Sequence, residues 1–169
     1  MNMTEMYPTT VLVSVEPSTI SLVTSKVSTI KGVSFYSQVT GRFDLVIQLN
    51  TTNTEQVLQI VNQIRSISGV LTTQTLIPFT GFTNGKNFVA GNSVAVLLLG
   101  AQGQPQSLLK NLQTLPHVLN ATIVPGEFDV VATIYGTDYN EIYSQILQVS
   151  QLQGIRTSET LFAFKPVWA

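Results

Sequence analysis

The chain has no cysteine in its 169 residues, which removes disulfides, thiolate catalysis and cysteine-ligated metals from consideration. Charge is scarce as well: Asp, Glu, Lys and Arg make up 10% of the sequence, against about 25% in an average soluble domain. The polar surface therefore has to be built from Ser, Thr, Asn and Gln. The eight basic residues stand singly and the net charge is −1, so no basic stripe exists to neutralise a row of phosphates, and direct contact with a nucleic-acid backbone is not expected. The single histidine, His117, has no cluster of His, Asp or Glu at ligand spacing around it, so no metal site is expected. No Ser-His-acid set, Gly-rich phosphate loop or carboxylate pair stands out either. The longest apolar run, Val94 to Leu99, is far short of the about 20 residues that span a bilayer. Residues 1–8 lack the cationic and apolar parts of a signal peptide. A cytoplasmic protein, with no membrane partner and no cofactor, is the expectation.

What the chain does have is internal repetition. Gly41-Arg42-Phe43-Asp44 returns 85 positions later as Gly126-Glu127-Phe128-Asp129, and the same offset places Val11 on Val96, Val33 on Val118, Gly69 on Gly154 and Thr75 on Thr160 without a gap. Such self-similarity marks two copies of one module. The copies are expected over 10–80 and 93–166, with an aperiodic Gly- and Asn-rich linker over 81–92.

Each copy reads as β-α-β-β-α-β. In the first, Val11 to Val15 is rich in β-branched residues and closed by Glu16-Pro17, which predicts a strand. Ile20, Val23, Val27 and Ile30 form one helical stripe that stops at Gly32. Val33 to Thr40 and Phe43 to Asn50 predict two strands about a two-residue hairpin, Gly41-Arg42. Val57, Ile60, Val61 and Ile64 form a second stripe, and Val70 to Phe79 the last strand. In the second copy, Ile155 to Phe164 is the closing strand, and Trp168 is either an anchor folded back on the body or a frayed end. The fold class is α+β: two tandem ferredoxin-like repeats, each an antiparallel sheet with both helices on one face. Both alternating sets of Val94 to Leu99 are apolar, the pattern of a strand buried on two sides. Sheets packed face to face as an intrachain pseudo-dimer, of the dimeric α+β barrel type, are therefore expected.

On Val11-Leu12-Val13-Ser14-Val15-Glu16-Pro17, Ile30-Lys31-Gly32-Val33, Val39-Thr40-Gly41-Arg42-Phe43-Asp44-Leu45-Val46 and Ile64 to Thr75, the sequence resembles the effector-binding (RAM) domain of the Lrp/AsnC family. The second copy keeps Gly126-Glu127-Phe128-Asp129-Val130-Val131 and Gly154 to Thr160. The resemblance implies sheet-to-sheet dimerisation and an amino acid or related metabolite bound near the Gly-x-Phe/Tyr-Asp hairpin. Members of that family usually carry a helix-turn-helix, and only about nine residues precede the first strand here.

The candidate ligand-binding residues are Thr40, Gly41, Arg42, Phe43 and Asp44 with Thr73 and Thr75, and Gly126, Glu127, Phe128 and Asp129 with Ser158 and Thr160. A hairpin offering backbone N–H groups, a cation and a carboxylate suits both ends of a zwitterion. The competing reading is that Asp44 caps nearby backbone, that Phe43 and Phe128 are core, and that the Thr residues pair across strands. His117 reads as a solvated turn residue. Function is expected to be non-catalytic binding of an amino-acid-type effector, with assembly into homo-oligomers or with full-length regulators. The alternatives are a dimeric α+β barrel enzyme, such as a small oxygenase or isomerase, and a purely structural partner.

Overall fold

A computed structural model describes residues 7–169; of the N-terminal stretch expected to carry no signal peptide, residues 1–6 lie outside the described residues. The chain forms a mixed α/β fold from two tandem repeats, divided into two compact units. One runs to Ile77 and is completed by Ala163–Ala169; the other is Pro78–Phe162.

The first unit contains β1 (Thr9–Val15), α1 (Ile20–Val27), β2 (Val33–Thr40), β3 (Leu45–Leu49), α2 (Thr54–Arg65) and β4 (Val70–Leu76). Its antiparallel sheet runs β4-β1-β3-β2. Val23 and Val27 of α1 and Val57, Ile60, Val61 and Ile64 of α2 share one core with Val11, Val13, Leu45 and Ile47, so both helices cover the same sheet face. Each such fully buried aliphatic side chain stabilises the unit by about 1.5–3 kcal/mol. Asn53 starts α2 by accepting the Gln56 N–H at 2.9 Å, one of the four donors that a helix start leaves unpaired.

The second unit contains β5 (Thr80–Thr83), β6 (Ser93–Ala101), α3 (Pro105–Gln113), β7 (Val118–Ile123), β8 (Val130–Gly136), α4 (Tyr139–Ser150) and the first part of β9 (Ile155–Trp168). The strand order is β9-β6-β8-β7-β5. Leu108 and Leu112 of α3 and Ile142 and Val149 of α4 pack with Ala95, Leu97, Leu99 and Ala132. Val94, Val96 and Leu98, the alternate set of β6, are buried too, as the two-faced apolar pattern predicts. Among the described residues no helix is long and apolar enough to cross a membrane.

Three local expectations need correction. Gly41-Arg42 is not a two-residue hairpin: β2 ends at Thr40 and β3 starts at Leu45. Asp44 keeps its carbonyl on the Val39 N–H of β2 at 3.0 Å but turns its own N–H to the Val13 carbonyl of β1 at 2.9 Å. The stretch expected to be aperiodic begins with a strand, since Thr80–Thr83 pairs with Asn120–Ile123 of β7. And β9 continues to Trp168 instead of stopping at Phe164. Its last residues lie beside β2, where the Ala169 N–H donates to the Ser34 carbonyl and the Trp168 ring meets Phe35 at 4.3 Å. The tail is an anchor, held by apolar contact that Val167 and Ala169 alone do not advertise in the sequence.

Candidate functional site

The two hairpins place their carboxylates alike. Asp44 Oδ2 accepts the Val15 N–H at 2.9 Å, and Asp129 Oδ2 accepts the Ala101 N–H at 2.8 Å. In each unit the acid ties the hairpin to the end of the central strand, where a β-bulge interrupts pairing with the neighbouring edge. Phe43 and Phe128 are buried, and the Arg42 guanidinium lies 4.8 Å from the Phe43 ring centre. Gly41 and Gly126 have φ of +125° and +109°, which explains glycine there. Thr40 and Glu127 are exposed at the hairpin ends. Thr73 pairs with Val13 and Ser158 with Leu99, so each stands one strand away from its hairpin, and Thr75 and Thr160 stand two residues further along. Thr73 also lines a cavity of about 370 Å³ with Arg65 and Thr72. The structure thus gathers these residues at one end of each sheet, with the carboxylates already occupied by backbone donors.

A different group of side chains meets at the other end of the β7–β8 ladder. His117 precedes β7 and Tyr135 lies near the end of β8; their backbones are joined by the Tyr135 N–H donating to the His117 carbonyl at 3.1 Å. The two rings stack at 5.3 Å and 22°, and Phe88 meets the far side of the cluster edge-on to Tyr135 at 5.4 Å. His117 Nδ1 lies 3.2 Å from Glu141 Oε1. The approach is close but off the hydrogen-bonding direction, so Nδ1 is buried, faces a carboxylate, and has no hydrogen-bond partner. Catalytic hydrogen bonds are often misaligned before substrate binds.

Local helix chemistry explains why Glu141 is there. Asp138 caps α4 by accepting the Glu141 N–H at 2.9 Å, and Glu141 reaches back to the Thr137 N–H and hydroxyl at 3.4 and 3.2 Å. This is a capping-box arrangement. A Cβ at Gly136 would sit 3.0 Å from Glu141 Cβ. Burial pushes the Tyr135 phenol above its ordinary value of 10.0, and the Glu141 charge adds to the rise. The phenol stays neutral and is oriented toward the Pro116 carbonyl at 3.3 Å.

His117 is therefore not the solvated turn residue expected: its side chain is 29% exposed and its Nδ1 is buried. A sequence signal for the cluster existed. The 85-residue offset sets His117, Tyr135 and Glu141 against Gly32, Asn50 and Gln56, so every titratable member replaces a neutral residue. Among the described residues no three His, Asp or Glu side chains gather as metal ligands.

A sequence model described as the Lrp/AsnC ligand binding domain matches residues 9–83 and again 94–169. Curated protein sequences give no significant match. Among solved structures, the siroheme decarboxylase NirDL superposes with a TM-score of 0.69 at 11% identity, covering 95% of this chain and 72% of that one. A mutant chlorite dismutase from Candidatus Nitrospira defluvii superposes with a TM-score of 0.61 at 10% identity, covering 95% of this chain and 91% of that one. These likenesses concern the fold, and they overturn the expectation of a non-catalytic module, because this fold is one that enzymes use. Whether catalysis occurs is a matter for the side chains.

Proposed function

Because the chain belongs to the Lrp/AsnC ligand-binding domain family, we propose that it takes a small metabolite and carries out acid–base chemistry on it in the second unit, as an isomerase-type enzyme. The observation that carries this reading is the 3.2 Å approach of His117 Nδ1 to Glu141 Oε1. A carboxylate facing Nδ1 favours a proton on that nitrogen and leaves Nε2 as the basic atom. Glu141 is a positioning residue: its capping bonds fix the carboxylate, and the carboxylate stabilises the imidazolium formed when Nε2 takes up a proton. Tyr135 acts as a platform whose stacked face fixes the ring plane. An imidazole suits removal and return of a proton next to a carbonyl. An amino acid or a related oxo acid is the proposed substrate class. The hairpin of each unit, Gly41–Asp44 in the first and Gly126–Asp129 in the second, is proposed for effector contact through backbone N–H groups, and association with another copy or with regulators of the family is part of the same proposal.

A tetrapyrrole, suggested by the neighbour crystallised with an iron-uroporphyrin III analogue, does not fit the His117 cluster. Such a molecule carries many carboxylates, whereas the second unit has only Lys86, Lys110 and Arg156 as permanent cations, and the imidazole is faced by Glu141. The partners a polyanion requires are missing.

The test is proton exchange in heavy water, followed by NMR, with a panel of amino acids and 2-oxo acids. The protein should accelerate loss of one substrate's C–H signal next to the carbonyl, His117→Gln should abolish this, and Glu141→Gln should lower it. No acceleration across the panel, or acceleration unchanged in His117→Gln, would overturn the proposal.

A further inference from the structure

The first unit holds a cleft between α1, β2 and the anchored tail, about 420 Å³ in volume. Its wall on α1 is Ser21, Thr24 and Ser25, and its wall on β2 is Tyr36, Ser37 and Gln38. The tail contributes Phe164, Lys165 and Val167. Some of the hydroxyls are committed: Thr24 Oγ1 donates to the Ile20 carbonyl at 3.0 Å, and Ser37 Oγ donates to the Phe164 carbonyl at 3.1 Å, which pins the tail to β2. The hydroxyls of Ser21 and Ser25, one helical turn apart, and the Gln38 amide remain to face a ligand. Lys165 is the one cation of the lining, and no carboxylate opposes it.

Two features set Lys165 apart. Its φ is +52°, and it is the non-glycine residue with positive φ among the described residues; a residue preceding proline, as Lys165 precedes Pro166, is normally held extended. Left-handed backbone at such a residue costs free energy and persists where its surroundings enforce it. Its ammonium lies 5.4 Å from the centre of the Phe164 ring, and that ring is 52% exposed. The cleft thus presents a cation, hydroxyl and amide donors, and an apolar surface side by side.

At three of these positions the second unit is apolar. The positions matching Thr24, Tyr36 and Val167 are Leu109, Ala121 and Phe82. Phe82 pairs with Ala121 and both belong to the core. At these positions one unit is filled with apolar side chains, and the other carries polar groups and open volume.

We propose that this cleft binds a small monocarboxylate with an aromatic or branched apolar body. Lys165 takes the carboxylate, the free hydroxyls and the Gln38 amide donate to its oxygens, and Phe164 and Val167 receive the apolar part. One cation suits a single negative charge, and hydrogen bonds to a charged acceptor are the strong ones. None of these residues belongs to the His117 cluster, so the inference stands apart from the acid–base reading.

The probe is 3-phenylpropionate, with 3-phenylpropanamide as its uncharged twin. Binding is followed by saturation-transfer NMR and by the fluorescence of Trp168, the one tryptophan of the chain. The acid should bind saturably and the amide about tenfold more weakly. Lys165→Gly removes the cation while accepting the left-handed backbone; it should unfold at the same or higher urea concentration and bind about tenfold more weakly. Lys165→Arg should retain binding. Ser21→Ala with Ser25→Ala, substitutions that favour helix, should weaken it by a smaller factor. Absence of saturable binding to the wild-type protein, equal binding of acid and amide, or wild-type binding by Lys165→Gly would each overturn the proposal.

Discussion

The turn between the first helix and second strand differs sharply between the two repeats, although the same backbone hydrogen bond closes both. In the first, the Asn50 N–H donates to the Gly32 carbonyl at 2.8 Å; in the second, the Tyr135 N–H donates to the His117 carbonyl at 3.1 Å. In the first, Gln56 Oε1 accepts the Thr52 N–H and hydroxyl at 2.9 and 3.1 Å; in the second, Glu141 does the same for Thr137. The capping box is therefore scaffold, common to both copies and indifferent to whether its acceptor is an amide or a carboxylate. Chemistry enters only where an imidazole is set against the charged version. Duplication left one copy neutral and the other titratable, and the contrast separates what the fold requires from what a reaction would require.

The sharpest way to break this contrast is to transplant the imidazole. Gly32 has φ of +99°, and a Cβ there would lie 2.7 Å from Ile60 Cδ1, so Gly32→His should destabilise the protein by about 2–4 kcal/mol from backbone strain and overpacking. His117→Gly loses a stacked ring and gains chain entropy in the unfolded state, and should cost about 1–2 kcal/mol. Urea unfolding of both variants checks the asymmetry; equal losses would show that the two turns are interchangeable after all.

The hairpin acids, by contrast, should behave as a matched pair. Asp44→Ala and Asp129→Ala each remove the acceptor of one central-strand N–H, and each should cost about 1–2 kcal/mol. A loss confined to one copy, measured by urea unfolding, would mean that the two hairpins have parted in role as the turns have.

Much of this architecture was legible because it rests on local periodicity. The β-branched runs, the helical stripes through Val57 and Ile64 or through Leu108 and Leu112, and the doubled hairpin motif fix element order whatever lies around them. Element ends were less legible, since the Asp44 N–H is claimed by the Val13 carbonyl of β1, remote in sequence, while its carbonyl stays with β2. The routing of β5 and of the tail past Phe164 depends on edge strands that short segments join without any period of their own. The His117 cluster was missed for a similar reason. Its members come from a turn, a strand end and a helix start, and each is ordinary alone: a turn histidine, a buried tyrosine, a capping glutamate. Only superposing the repeats shows that all three changed character together.

A smaller effect tests whether Gly136 is part of that change. The first repeat has Thr51 at this place, and a methyl group in the second would press on Glu141 at 3.0 Å. The contact is with Glu141 Cβ and Cγ, close to the helix backbone, so Gly136→Ala should cost about 1 kcal/mol while displacing Glu141 from His117. The expected signature is a change in the NMR chemical shifts of the imidazole with little change in the urea midpoint. Unchanged shifts would mean that Glu141 does not depend on the glycine.

The gentlest probe is alkaline titration of Tyr135. Burial and then the Glu141 charge raise its pKa above 10.0, so the native state holds the phenolic proton more tightly than the unfolded chain does. The stability this contributes is fully present below the unfolded value near 10 and is lost as pH rises through the folded value. Glu141→Gln removes the second cause and leaves the first, so the titration should move down toward the ordinary value without reaching it. Asn50 occupies the matching place in the first repeat, and the alkaline loss linked to this position should therefore come from the second unit alone. Phenolate absorbance of wild type, Glu141→Gln and Tyr135→Phe resolves the assignment: if the high-pH step survives in Tyr135→Phe, it belongs to another tyrosine, and the electrostatic contact between phenol and carboxylate is too weak to distinguish the two repeats.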